Sequence, residues 1–163
     1  MFREMRRKNQ LITNEESISI LSKATGGVLA LLGDNGYPYT VPMSYVYENG
    51  KLYFHCAKVG HKIDAIKNSD KASFCVIERD DIVPEEFTTR YISVVAFGKI
   101  QILEDPIEIR RTIEVLTRRY SPGFEDEMQK EIENDLDNLC MLEFDIEHIT
   151  GKESRELMME RKN

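Results

Sequence analysis

The 163-residue sequence predicts a mainly β domain, an antiparallel β-barrel with peripheral helices. Three observations point there. Two Asn-Gly steps, Asn35-Gly36 and Asn49-Gly50, stand between apolar, β-favouring runs, the strongest short-range hairpin signal. Two later segments, Tyr91 to Leu103 and Cys140 to Ile149, read as long strands. Near-continuous hairpin connections leave sheet edges that closure into a barrel hides.

The elements follow in order. Residues 1–12 carry Arg3, Arg6, Arg7 and Lys8 and read as a solvated arm. Thr13-Asn14-Glu15-Glu16 starts a helix, because Thr13 or Asn14 accepts from free N–H groups and the glutamates suit the positive end. Gly26-Gly27 ends it, and Val28 to Leu32 forms a strand. The return strand, Tyr39 to Tyr47, places Val41, Met43, Tyr45 and Tyr47 on one face. With Leu52 to His55 it completes a predicted three-strand meander. A short helix spans Gly60 to Ile66, and Ala72 to Glu78 is the next strand. Arg79 to Arg90 is polar, contains Pro84 and reads as a loop. Gly98 marks a bulge in the strand from Tyr91. Asp105-Pro106 opens a helix with Ile109, Ile113 and Leu116 at helical spacing, and an acidic helical stretch runs from Glu125 to Asp137. In the last strand, Met141, Glu143, Asp145 and Glu147 oppose Leu142, Phe144, Ile146 and His148. The expected organisation is an arm (1–12), one domain (13–152) and a charged, partly helical tail (153–163).

Composition limits function. Lys and Arg total 22 against 29 Asp and Glu, and the net charge of −7 disfavours nucleic acid as a partner. A chain 41% hydrophobic and 31% charged is not disordered. No apolar run approaches the ~20 residues of a membrane span, and the Arg-rich start lacks a signal peptide's apolar core. Three cysteines without a CxxC pair argue against a secreted disulfide framework. A soluble cytoplasmic domain without a membrane partner is expected. No pair among His55, His61, His148 and the cysteines has zinc-ligand spacing, so no metal is expected.

Two segments could carry chemistry. At Gly60-His61-Lys62 a helix begins with a basic side chain in its first turn, against the macrodipole. Free N–H groups and Lys62 together could cradle a phosphate, and an exposed lysine on a surface helix is the other reading. In Pro38-Tyr39-Thr40-Val41-Pro42-Met43-Ser44, the mid-strand Pro42 removes a ladder donor. That strand should face an edge or a flat ligand rather than another strand.

With Tyr53-Phe54-His55, the run Tyr91 to Gly98 and the late Thr150-Gly151-Lys152, these segments occur in an order that resembles the pyridoxamine 5′-phosphate oxidase-related flavoproteins, closest to the nitroimidazole-resistance (Nim-type) branch. The resemblance covers about residues 10 to 155. It implies an FMN-binding split β-barrel and a homodimer with FMN at the subunit interface. Val41, Pro42, Met43 and Ser44 would run along the isoalloxazine ring. His55 and Cys56 would lie near the ribityl chain and phosphate, and Gly60, His61 and Lys62 would hold the phosphate. Tyr91, Ser93 and Val94 match the long-strand motif that approaches the flavin or the dimer contact. His61-Lys62 replaces the Arg-Lys pair of the parent oxidases, which implies weaker or more pH-dependent phosphate binding. No C-terminal arginine motif for a pyridoxal substrate is present, so vitamin B6 oxidation is not expected. His55 matches the Nim-branch histidine associated with activity and would serve as catalytic proton donor. The implied activity is FMN-dependent reduction of a small acceptor such as a nitroaromatic compound. A non-enzymatic flavin carrier, or a barrel binding haem or a deazaflavin, is the alternative.

Overall fold

The computed structural model describes residues 1–136 and 138–162. Asp137, the end of the predicted acidic stretch, and Asn163, the end of the predicted tail, lie outside the described residues. Along the chain run β1 (Leu11–Ile12), α1 (Asn14–Lys23), β2 (Gly26–Leu32), β3 (Pro38–Ser44), β4 (Val46–Glu48), β5 (Lys51–Ala57) and α2 (His61–Asn68). Then come β6 (Lys71–Val83), β7 (Thr88–Ile102), α3 (Pro106–Tyr120), α4 (Glu125–Asp135), β8 (Leu139–Glu153) and α5 (Arg155–Lys162). The eight strands form one antiparallel sheet in the order β3-β2-β6-β7-β8-β5-β4, with β1 added to β8. It is a split β-barrel.

Both predicted hairpin turns form. Asn35 and Gly36, and Asn49 and Gly50, all take positive φ, which Asn and Gly tolerate best. The predicted meander does not form. β3 pairs only with β2 and β4 only with β5, so the two strands lie at opposite ends of the sheet order. A single residue, the fully buried Tyr45, joins them. One continuous segment thus supplies both edges, and this continuity rolls the sheet up. The corner leaves the Tyr45 backbone without a ladder partner, and Tyr120 of α3 meets it. The Tyr45 N–H donates to the Tyr120 hydroxyl at 2.9 Å, and the single proton of that hydroxyl is shared between the Tyr45 and Thr25 carbonyls. The Tyr45 ring fills the barrel beside Phe54 and Phe74, and its own hydroxyl donates to the Leu21 carbonyl at 2.7 Å.

The interior is apolar. Leu29, Leu52, Val76, Val94, Leu142 and Phe144 are fully buried there. A second cluster lies on the outer face of β4, β5 and β8, where Ile113 and Leu116 of α3 and Met128 and Ile132 of α4 cover Tyr53 and Met141. Met128 and Ile132 are one turn apart, so the acidic α4 is a solvated helix with one apolar stripe.

The segment predicted as a loop over 79–90 is a paired extension. β6 and β7 continue past a bulge between Ile77 and Arg79 to Val83 opposite Thr88. Pro84 belongs to the closing turn, where Phe87 adopts a left-handed conformation. Gly98 does mark a register shift, and a Cβ there would lie 2.0 Å from the Asp145 carbonyl oxygen. The same irregularity puts His148 opposite Phe97, on the outside, rather than on the Phe144 face.

Both chain ends take part in the fold. Thr13 and Glu16 form a reciprocal capping box at the start of α1. Ahead of it, within the expected arm, Leu11 and Ile12 pair with Lys152 and Gly151, and buried Gln10 donates to the Glu153 carbonyl. The C-terminal segment forms α5, which buries Leu157 and Met158. Among the described residues no helix is long and apolar enough to cross a membrane.

Candidate flavin-binding groove

The register defines what lies outside the barrel. Pro42 faces Val28, Val28 faces Cys75, and Cys75 faces Val95. One row along, Ile77 faces Ser93 and Ser93 faces Lys152. Directly opposed residues share a face, so Pro42, Ser44, Val28, Cys75, Ile77, Ser93 and Lys152 all lie on the outer surface. A groove of about 450 Å³ opens there between β3, β2 and β6, lined by Gly26, Gly27, Val28, Pro42, Met43, Ser44, Cys75 and Ile77. Gly27 is required for packing: a Cβ would lie 2.6 Å from both the Phe74 ring and the Cys75 carbonyl oxygen.

β3 supplies the polar wall. The Gly33 N–H donates to the Tyr37 carbonyl at 2.9 Å, so this is a hydrogen-bonded pair. Alternation then makes Tyr39, Val41 and Met43 the residues bonded to β2. Pro38, Thr40, Pro42 and Ser44 turn their backbone groups to the free edge. Both prolines therefore occupy positions where no ladder donor is needed, as the mid-strand Pro42 required. Among the described residues, the N–H groups of Thr40 and Ser44 and the carbonyls of all four have no strand partner and point along the free edge.

Gly60, His61 and Lys62 lie at the start of α2. Gly60 precedes the helix at φ 122°, a conformation that favours glycine. Half-buried Lys62 extends its Nζ to 3.3 Å from Met43 Sδ. A thioether is a weak acceptor, so the ammonium keeps hydrogen-bonding capacity. His61 stacks on Tyr39 with ring centroids 4.1 Å apart, and its Nε2 lies 3.6 Å from Asp34 Oδ2. Lys62 is thus a cation available to an anionic ligand. Cys56 shares its neighbourhood: burial and the Cys140 thiol push the Cys56 thiol up to about 12, partly offset by Lys62.

The structure gathers some of the expected residues and separates others. Pro42, Met43 and Ser44 share the groove, and Met43 joins it to Lys62, whose charge acts on Cys56. Val41 packs against the barrel core. Ser93 lies further along the outer face, beyond Ile77. His55 stands apart, because successive residues of a strand point to opposite faces. Cys56 turns inward, whereas His55 lines a separate cavity of about 180 Å³ with Ile113, Thr117, Met128, Glu131, Ile132, Asp135 and Leu139.

The groove floor is not legible in the sequence. Gly26, Gly27, Val28, Cys75 and Ile77 come from two strands whose adjacency depends on long-range pairing. Lys152 was visible only as part of a motif. Its ammonium lies 5.1 Å from the centre of the Tyr91 ring, on the same face as Ser93.

Comparisons with known proteins agree with this architecture. A candidate 5-nitroimidazole antibiotic resistance protein from Bacteroides thetaiotaomicron superposes with a TM-score of 0.72 at 23% identity, covering 87% of this chain and 85% of that one. An FAD-binding protein from Mesorhizobium loti gives 0.67 at 21% identity, covering 88% and 96%. An FAD- and haem-binding protein from Mycobacterium smegmatis gives 0.77 at 19% identity, covering 94% and 80%. At these identities the likeness establishes the fold. No curated protein sequence matches the chain. Residues 13–153 match the family described as pyridoxamine 5′-phosphate oxidase, nearly the whole of the folded domain. The chain belongs to the pyridoxamine 5′-phosphate oxidase family.

Proposed function

We propose that this protein is an FMN-binding oxidoreductase that works as a homodimer and reduces a small acceptor such as a nitroaromatic compound. The observation that carries the reading is one arrangement: an open groove, a β3 edge with free backbone donors and acceptors, and the Lys62 ammonium against Met43 of that edge. A flavin ring is flat and carries polar atoms along its edge. The Thr40 and Ser44 N–H groups suit those acceptors, and Lys62 with the Gly60–His61 helix start suits the phosphate. The residues present therefore fit FMN. Bound there, the flavin supplies the redox chemistry, and the protein supplies position, shielding and charge.

The outer face supports self-association. A solvated antiparallel sheet normally alternates polar residues outward. Here Val28, Leu32, Ile77 and Phe97 are exposed on it, Ile77 by 65%. A second copy of the chain would cover this apolar surface and roof the groove. The FAD-binding and nitroimidazole-resistance relatives support a flavin site and this acceptor class. As proton donor, His55 would have to serve the partner's groove, since within its own chain it stands apart in the α3–α4 cavity.

The test is reconstitution of the purified full-length chain with FMN, followed by anaerobic reduction and stopped-flow reoxidation. Uptake of FMN and acceleration of reoxidation by a nitroimidazole support the reading. FMN uptake with reoxidation by oxygen alone would leave a flavin carrier. No uptake by a folded protein would reject the flavin site.

A further inference from the structure

The chain has a pair of thiols whose redox chemistry the flavin reading does not use. Cys56 of β5 lies directly opposite Cys140 of β8, and both side chains face the barrel interior. The Ile146 N–H donates to the Gly50 carbonyl, and the register from there to Cys56 and Cys140 is unbroken. Counting in twos, Cys56 and Cys140 form a hydrogen-bonded pair, whose Cα atoms lie about 5.5 Å apart. That lies inside the ~4.4–6.8 Å window over which a disulfide can close. The Cys140 thiol lies near enough to help push the Cys56 thiol up. Cys75, the third cysteine, faces Val28 and Val95 and has no thiol opposite.

We propose that Cys56 and Cys140 are a redox-active pair that closes to an intrachain cross-strand disulfide on exposure to a peroxide. Cys56 is the thiol that reacts first. It is the more accessible of the two, Cys140 being 5% exposed, and the Lys62 ammonium lies near enough to favour its thiolate. The Cys56 sulfur attacks one peroxide oxygen. The S–O bond forms, the O–O bond breaks, and the departing oxygen takes a proton and leaves as water. Cys140 then attacks the Cys56 sulfur. The S–S bond forms, the S–O bond breaks, and a second water leaves with the Cys140 proton. Two thiols and one hydrogen peroxide give one disulfide and two waters. Each sulfur is oxidised by one electron and the peroxide is reduced by two.

The reaction is slow at neutral pH because burial keeps Cys56 protonated, so its rate rises roughly tenfold per pH unit through the alkaline range. A cross-strand bond at a hydrogen-bonded position holds strained geometry and is the easily reduced kind. The pair borders Lys62, so this modification would sit at the mouth of the proposed phosphate cradle. The thiol chemistry is measured directly and does not depend on a bound flavin.

The experiment treats the reduced full-length protein, and its Cys75→Ser variant, with excess hydrogen peroxide at pH 8.5. Remaining thiols are then alkylated under denaturing conditions and mapped by mass spectrometry. The expected result is loss of two of the three thiols, a linked Cys56–Cys140 peptide pair in both proteins, and full return on addition of dithiothreitol. In Lys62→Met the rate should fall by about threefold or more, as the favouring charge is removed. Free Cys56 and Cys140 after exhaustive oxidation, or products joined only through Cys75 between chains, would overturn the proposal. An unchanged rate in Lys62→Met would overturn the role given to that charge.

Discussion

Replacing Lys62 with methionine isolates what its charge does for FMN. The side chain is half-buried, its stem can be mimicked by the thioether, and its ammonium touches Met43 Sδ rather than a carboxylate. Its bond to a phosphate would therefore be new on binding, not exchanged for an existing ion pair. A hydrogen bond to a charged group contributes about 1.5–3 kcal/mol, so FMN affinity should fall roughly 10- to 150-fold. Riboflavin has the same ring but no phosphate, and its affinity should change by less than about twofold in the same variant. Quenching of flavin fluorescence measures both constants, and Lys62→Arg should restore most of the FMN affinity. If the variant weakens FMN and riboflavin equally, Lys62 does not meet the phosphate. If neither affinity changes, the cradle at α2 is wrong.

Three other outcomes follow from named contacts. Tyr120→Phe strips the partner from the Tyr45 N–H at the barrel corner. The cost should be about 1–3 kcal/mol, with melting some 2–12 °C lower by calorimetry. Burial alone would raise the Glu143 carboxyl, but hydrogen bonds from Lys51 and Gln101 hold it below the ordinary value of 4.5. Its contribution is therefore present above pH 4.5 and lost as pH falls through the lowered native value. Glu143→Gln should cost about 1 kcal/mol near neutrality and flatten the acid side of the stability curve in urea titrations from pH 6 to 3. His55→Ala should slow nitro-compound-dependent reoxidation by about 10²-fold or more, with FMN occupancy unchanged. Unchanged turnover would remove His55 from the chemistry.

Much of this was legible in the sequence because the signals are local. Asn-Gly turns, the Thr13–Glu16 cap, Asp105-Pro106 and the Gly98 bulge each act within a few residues, and each appears in the structure. The edge position of Pro42 was legible too, since a proline excludes a ladder partner on its own. Strand pairing was not. Nothing local distinguishes a meander from a segment that turns at Tyr45 to supply both sheet edges. The paired 79–90 extension was hidden because its exposed Asp80, Asp81 and Ile82 offer no alternation against a core. At the site, residue types near Lys62 and Pro42 could be read, but not the groove floor from β2 and β6. The separation of His55 from Cys56 was readable from strand alternation, yet motif likeness placed both near the phosphate.

The most direct measurement of the central claim is the visible absorbance spectrum of the full-length protein after incubation with FMN and gel filtration, read with the eluted mass. Flavin bands should co-elute with a dimer at one FMN per chain. A folded protein that elutes colourless, with all FMN in the small-molecule fraction, would contradict it.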